Sequence, residues 1–221
     1  MLPAPGVEPA GASRPPVIAV LDYGIGNLRS AEKALQHLGA DAALVADPDR
    51  AVVADGVVLP GVGAFGPCAQ ALRSSGLDKA ATWAIERGVP FLGICIGFQL
   101  LYEGSDEDPS VPGLGALPGV VRRLPPGVKH PQMQWNIVEQ EAGVRPGLLA
   151  GVPQPTWVYF VHSYAPERTA DTSSTCDYGG PVTASAERGA VWGTQFHPEK
   201  SGAVGLGILA NFVRHVSGTP S

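Results

Sequence analysis

The patterned part of the chain opens at residues 17–22, VIAVLD, a nearly all-apolar segment suited to a strand covered on both faces. A glycine turn, YGIGN, follows. Leu28, Ala31, Leu35 and Leu38 then recur at helical spacing while Arg29, Glu32, Lys33 and Gln36 fill the opposite side, and Gly39 supplies a stop. The pattern continues: AALVA and GVVLP predict strands, CAQALRSSG and LDKAATWAIERG predict helices, and VPFLGI returns to strand. Strands alternating with helices predict an α/β fold on an open, mostly parallel (mixed) sheet flanked by helices, with its site at the carboxyl ends of the strands. After Gly104 the texture changes to shorter strands, VVRRL, QWNIVEQ, WVYFVHSYA and VTASA, separated by turns. AVWGTQF and a last helix carrying Val204, Ile208, Leu209, Phe212 and Val213 close the pattern. The expected organisation is one domain over 17–216, a disordered extension over 1–16 that is rich in proline, alanine and glycine, and a flexible tail over 217–221.

A chain of 221 residues is long enough to bury a sizeable core. Its net charge of -5 leaves no basic footprint for nucleic acid, and no apolar run approaches the ~20 residues of a membrane span. The expected partners are therefore small molecules or proteins. Three cysteines without paired spacing argue against a disulfide framework and for a reducing, cytoplasmic compartment, and no metal-ligating pair such as Cys-x-x-Cys occurs. Residues 1–16 have neither the basic start nor the apolar stretch of a signal peptide. DYGIGN suggests dinucleotide binding through Gly24 and Gly26, but Arg29 stands at the third glycine position, so no nucleotide cofactor is expected.

The stretch PFLGICIGFQLLYEG, residues 90–104, carries the candidate chemistry. Its apolar run reads as a buried strand, and Phe98, Leu101 and Tyr102 then recur at helical spacing, so Cys95 sits at a strand-to-helix turn framed by Gly93 and Gly97. Such a turn presents the sulfur outward and places it at a helix N-terminus, where unpaired amides and the helix dipole favour a thiolate. Cys68, on a predicted helix, and Cys176, in a polar loop, lack that frame and are expected to be buried and inert.

A cysteine nucleophile needs a base, and the base needs an orienting group. QFHPEKS offers His197 and Glu199 two positions apart, with Pro198 expected to keep the segment extended so that both side chains project to one side. His37, His130 and His215 have no such company. Oxyanion donors are available in the amide of Ile96, just after the cysteine, and in the peptide at Val62, which glycines flank in LPGVGAFG.

The ordered motifs DYGIGNLRS, LPGVGAF, PFLGICIGFQLLYEGS, PQMQWN, YFVHSY and QFHPEKS resemble those of the class I (triad) glutamine amidotransferases, whose fold is flavodoxin-like. Within them the chain is similar to the glutaminase subunits of imidazole glycerol phosphate synthase, an enzyme of histidine biosynthesis. The resemblance implies that Cys95 attacks the side-chain amide of L-glutamine, His197 moves protons, Glu199 orients His197, and Val62 and Ile96 supply oxyanion amides. It implies that Gly63, Gln99, Ser163 and Tyr164 hold glutamine, with no metal or cofactor. It also implies a heterodimer in which Asn27, Trp135, Tyr159 and Lys200 meet a TIM-barrel cyclase subunit that receives the ammonia. Gln134 stands where family members often carry glycine, adding a side chain at the expected interface. Another triad amidotransferase subunit, a non-catalytic interaction subunit and a cysteine hydrolase of a different substrate are the competing readings.

Overall fold

The computed structural model describes residues 14–143 and 147–218; residues 1–13 of the expected extension and 219–221 of the expected tail lie outside the described residues. Residues 14–16 are tied to the domain. The Arg14 guanidinium donates to both carboxylate oxygens of Asp55 at 2.7 and 2.8 Å, and the Pro16 carbonyl accepts from the Asp41 amide at 3.0 Å.

The first half of the chain builds parallel strands. β1 (Val17–Leu21), β2 (Asp41–Val45), β3 (Gly56–Gly61) and β4 (Phe91–Cys95) are connected through helices α1 (Leu28–His37), α2 (Pro48–Ala51), α3 (Phe65–Ser74) and α4 (Leu77–Glu86). α1 buries Leu28, Ala31 and Leu35, and ends where Gly39 takes a φ of 87°, a backbone region that costs glycine little. After the one-turn α5 (Ile96–Gln99), the chain forms β5 (Gly104–Ser105), β6 (Val120–Arg123), β7 (Gln132–Gln140), β8 (Thr156–His162), β9 (Tyr164–Pro166), β10 (Thr172–Asp177), β11 (Pro181–Arg188) and β12 (Val191–Thr194), then helix α6 (Gly202–Val216).

Among the described residues, nine strands form one sheet in the order β2-β1-β3-β4-β12-β11-β10-β7-β8. From β2 to β12 the neighbours are parallel, and from β12 to β8 they are antiparallel. A second, three-stranded sheet has the order β5-β6-β9. The expected mixed sheet flanked by helices is thus present, parallel in one half and antiparallel in the other, and β12 returns late in the chain to pair with β4, Thr194 beside Ile94. Because β3, β4 and β12 are parallel neighbours, their carboxyl ends lie side by side on one sheet edge. Gly61 pairs with Cys95 across β3 and β4.

Three elements differ from the sequence pattern. The helix expected to run through Tyr102 stops at Gln99, because the carbonyls of Leu100, Leu101 and Tyr102 are taken by the amides of Leu114, Leu117 and Gly115. The side chains keep their buried positions although the helix does not continue. Cys176 lies on a strand, β10, and not in a loop. That strand escapes a hydropathy reading because TSSTCD buries hydroxyls, with Ser173 and Ser174 both hydrogen-bonded to Ser185 on β11. Finally, residues 198–200 form a 3-10 turn, and the extended geometry expected there holds only at His197. Proline suits the first position of a helical turn, where its missing N–H leaves no bond unmade.

Phe98 is fully buried over paired glycines, Gly93 on β4 and Gly193 on β12. A Cβ at Gly193 would fall 1.9 Å from its ring. Gly193→Ala is expected to destabilise the fold by about 2 kcal/mol through overpacking, and adding Phe98→Leu should recover part of the loss. Urea unfolding of the two variants measures both effects.

Candidate active site

The turn after β4 is sharp at the backbone. Cys95 has φ 56° and ψ -110°, and is the non-glycine residue with positive φ among the described residues. The glycines around it are required by space. A Cβ on Gly97 would lie 1.7 Å from the Leu59 carbonyl oxygen, and one on Gly93 would lie 2.7 Å from the Gly97 carbonyl and from the Phe98 Cα. On the neighbouring strand, a Cβ on Gly61 would press within 2.9 Å of the Gly97 amide, the Tyr23 hydroxyl and the Ile96 side chain. The end of β3 therefore touches the elbow directly. With α5 only one turn long, the expected dipole contribution shrinks to that of the first few amides.

Two further bonds fix the β3 side. The Tyr23 hydroxyl donates to the Pro60 carbonyl at 2.8 Å, and the buried Cys68 thiol donates to the Val62 carbonyl at 3.2 Å. Burial pushes the Cys68 thiol up to about 11, and Cys176 likewise, so both remain protonated and are not nucleophiles.

His197 leaves the end of β12 and Glu199 folds back onto it. The His197 Nδ1 and Glu199 Oε1 are 2.8 Å apart, and both side chains are buried, 2% and 3% exposed. The turn is held by the Ser201 hydroxyl, which donates to the His197 carbonyl at 2.6 Å and accepts from the Tyr159 amide at 3.0 Å. The His197 amide in turn donates to the Tyr159 carbonyl at 2.9 Å. α6 lies so close that a Cβ on Gly205 would fall 1.9 Å from the Pro198 carbonyl. Burial disfavours the imidazolium, but the neighbouring Cys95 and Glu199 outweigh it and raise the His197 pKa to about 9. Its Nε2 has no hydrogen-bond partner among the described residues and faces the same cavity as Cys95.

That cavity has a volume of about 270 Å³ and is walled by Val62, Gly63, Cys95, Ile96, Gln99, Ser163, Tyr164 and His197. The structure thus brings together the residues singled out for the nucleophile, base, oxyanion and substrate roles, with Glu199 behind His197. The sequence reading missed Glu107 and His162, which also line the cavity. Glu107 is anchored by accepting the Phe65 amide at 2.8 Å. His162 donates from Nδ1 to the Tyr164 carbonyl at 2.8 Å, and burial, with the charge of His197 nearby, pushes its pKa down to about 4. A carboxylate in a loop and a histidine on an apolar strand leave no periodic signal, although His162 lies within the YFVHSY motif.

The four residues expected at a partner interface are on the surface or half-buried. Trp135 and Tyr159 pair across β7 and β8, with ring centroids 6.2 Å apart, and Tyr159 is bound through its backbone to the turn that carries Lys200. Asn27 immediately precedes α1, which packs against that turn, and its side chain accepts from the Ser30 hydroxyl. Met133 and Trp157, not singled out, are exposed on the same hairpin face at 61% and 46%. Gln134 is exposed in ordinary strand backbone, so the extra side chain imposes no strain.

Residues 19–216 match the family model described as glutamine amidotransferase class-I. A protein of Synechococcus sp. (strain JA-3-3Ab), named imidazole glycerol phosphate synthase subunit HisH, is 48% identical over 205 residues, covering 90% of this chain and 94% of that one. A protein of the same name from Moorella thermoacetica is 48% identical over 204 residues, covering 90% and 96%. A solved glutamine amidotransferase superposes with a TM-score of 0.72 over 91% of this chain and 99% of its own, at 20% identity, which speaks for the fold alone.

The raised His197 pKa has a defined sign. A group whose pKa is higher folded than unfolded stabilises the fold fully below about 6.5 and progressively less as pH rises through about 9. Glu199→Gln should lower the His197 pKa by at least about one unit and flatten that part of the stability profile. NMR titration of the His197 ring, with urea unfolding between pH 6 and 10, checks both.

Proposed function

The chain belongs to the class-I glutamine amidotransferases, and from that premise we propose that it is the glutaminase subunit of imidazole glycerol phosphate synthase, working in a heterodimer with a TIM-barrel cyclase subunit. The observation that carries this reading is near full-length likeness to subunits of that name, at 48% identity, in a chain whose cavity joins Cys95 to the buried His197–Glu199 pair.

In this reading the Cys95 sulfur gives its proton to His197 Nε2 and attacks the side-chain amide carbon of glutamine. The carbonyl oxygen becomes an oxyanion held by the amides of Val62 and Ile96. The tetrahedral intermediate collapses, His197 protonates the departing nitrogen, and ammonia leaves a glutamyl thioester on Cys95. His197 then takes a proton from water, which attacks the thioester, and glutamate is released with the thiol restored. Glu199 holds the ring in orientation and favours its protonated form. Gly63, Gln99, Ser163 and Tyr164 hold the substrate, and the Glu107 carboxylate suits its α-ammonium group. Ammonia passes to the partner, so this chain supplies nitrogen and the cyclase closes the imidazole ring.

Asn27, Trp135, Tyr159 and Lys200, extended by Met133 and Trp157, form the proposed docking face. An exposed aromatic patch with a flanking cation has the composition of an interface core and rim.

Cys95→Ala is expected to abolish glutamine-dependent synthesis by the complex, by at least about 10³-fold, while synthesis from added ammonium salt persists. Loss of both activities, or of neither, overturns the assignment. Trp135→Ala should weaken association with the cyclase subunit by about tenfold or more, read by titration calorimetry; another triad amidotransferase subunit would not bind that cyclase at all.

A further inference from the structure

We propose that Gln195 is a further member of the catalytic centre, a buried donor that faces the Cys95 sulfur and favours its anionic state, with its direction set by Gln99. The proposal rests on Cys95 being the nucleophile. Gln195 follows β12, two residues before His197, and is 0% exposed. Its Nε2 lies 3.8 Å from the Cys95 Sγ, and its Oε1 accepts from Gln99 Nε2 at 3.0 Å.

The chemistry of one backbone carbonyl decides which way these amides point. The Tyr164 carbonyl can only accept, and Gln99 Nε2 donates to it at 2.9 Å. Gln99 must therefore present its NH2 group on that side, and its second hydrogen meets Gln195. Gln195 can receive it only through oxygen, which turns its own NH2 group toward Cys95. A reversed Gln195 would set two donors against each other and leave an oxygen against the sulfur. The chain of bonds Tyr164, Gln99, Gln195, Cys95 thus has a single direction, and it ends in an N–H aimed at the reacting atom.

An N–H at sulfur distinguishes the states of the reaction. The resting thiol reaches the Val161 carbonyl at 3.9 Å, an oxygen that repels the sulfur once its proton has gone to His197. The Gln195 N–H opposes that repulsion and is strongest against the anion. The charge is present twice, when the thiolate attacks the amide and when it is expelled from the thioester by water. In the intervening thioester the sulfur is neutral and the contact is weak. Gln195 therefore acts on the chemical steps. It stands behind the nucleophile and outside the cavity wall, so substrate affinity does not depend on it directly.

The test is Gln195→Met, which keeps approximate volume and removes the donor, assayed in the complex with the cyclase subunit. Glutaminase kcat is expected to fall about tenfold, with KM within about twofold, and alkylation of Cys95 by iodoacetamide at fixed pH, located by mass spectrometry, should slow by about the same factor. A folded variant with unchanged kcat and alkylation rate overturns the proposal. If Cys95→Ala keeps its glutaminase activity, the nucleophile reading has failed instead. Should Gln195→Met not fold, the unaltered chain labelled with 15N-glutamine serves. One Gln195 side-chain proton should move as the sulfur ionises, and that step should be missing in Cys95→Ser, which retains His197, Glu199, Glu107 and His162 around it. Equal behaviour in the two proteins overturns the proposal.

Discussion

The site depends on the close approach of bare backbone at the ends of β3 and β4. Leu59, Gly61, Gly93 and Gly97 come within distances that leave no room for a Cβ on any of the three glycines. That contact holds Cys95 in its positive-φ conformation, and the surrounding fold supplies the energy that such a conformation costs, of order 1–3 kcal/mol. It also brings Val62 and Ile96, the residues that follow the paired Gly61 and Cys95, to the same cavity. β12 completes the arrangement as the parallel neighbour of β4, bringing in Gln195, His197 and the turn with Glu199.

The cavity holds two histidines in different settings. His197 has a carboxylate behind it and, beside an ionised Cys95, is held as imidazolium, whereas His162 has only a backbone carbonyl to donate to and is held neutral by burial. A charged His197 makes protonation of His162 costlier still. The pocket therefore offers one proton-bearing ring and one fixed dipole, with no competition for the same proton.

Much of this was legible in the residues. The parallel half announced itself through apolar runs alternating with amphipathic helices, and the glycine frame around Cys95 pointed to an elbow because few other turns need that spacing. The Cys95, His197 and Glu199 grouping followed from motif order. What stayed hidden has a common cause in pairing that sequence periodicity does not record. β10 is polar because serine hydroxyls satisfy one another inside the sheet. The helix after Cys95 ends early because carbonyls some residues on are claimed by a distant loop. Glu107 enters the cavity through a single bond to the start of α3, and Gln195 matters through amide directions that only a three-dimensional network reveals.

Strand β8 has a property that follows from its alternation. Tyr159 and Trp157 face outward beside Trp135, while Phe160 and His162 face inward, and between them the strand's own peptides accept from the His197 amide at Tyr159 and from the thiol at Val161. The outer face and the reaction centre are thus opposite sides of a wall one residue thick. One length of backbone forms the outer face and also supplies the carbonyls that accept from the base's amide, at Tyr159, and from the thiol, at Val161.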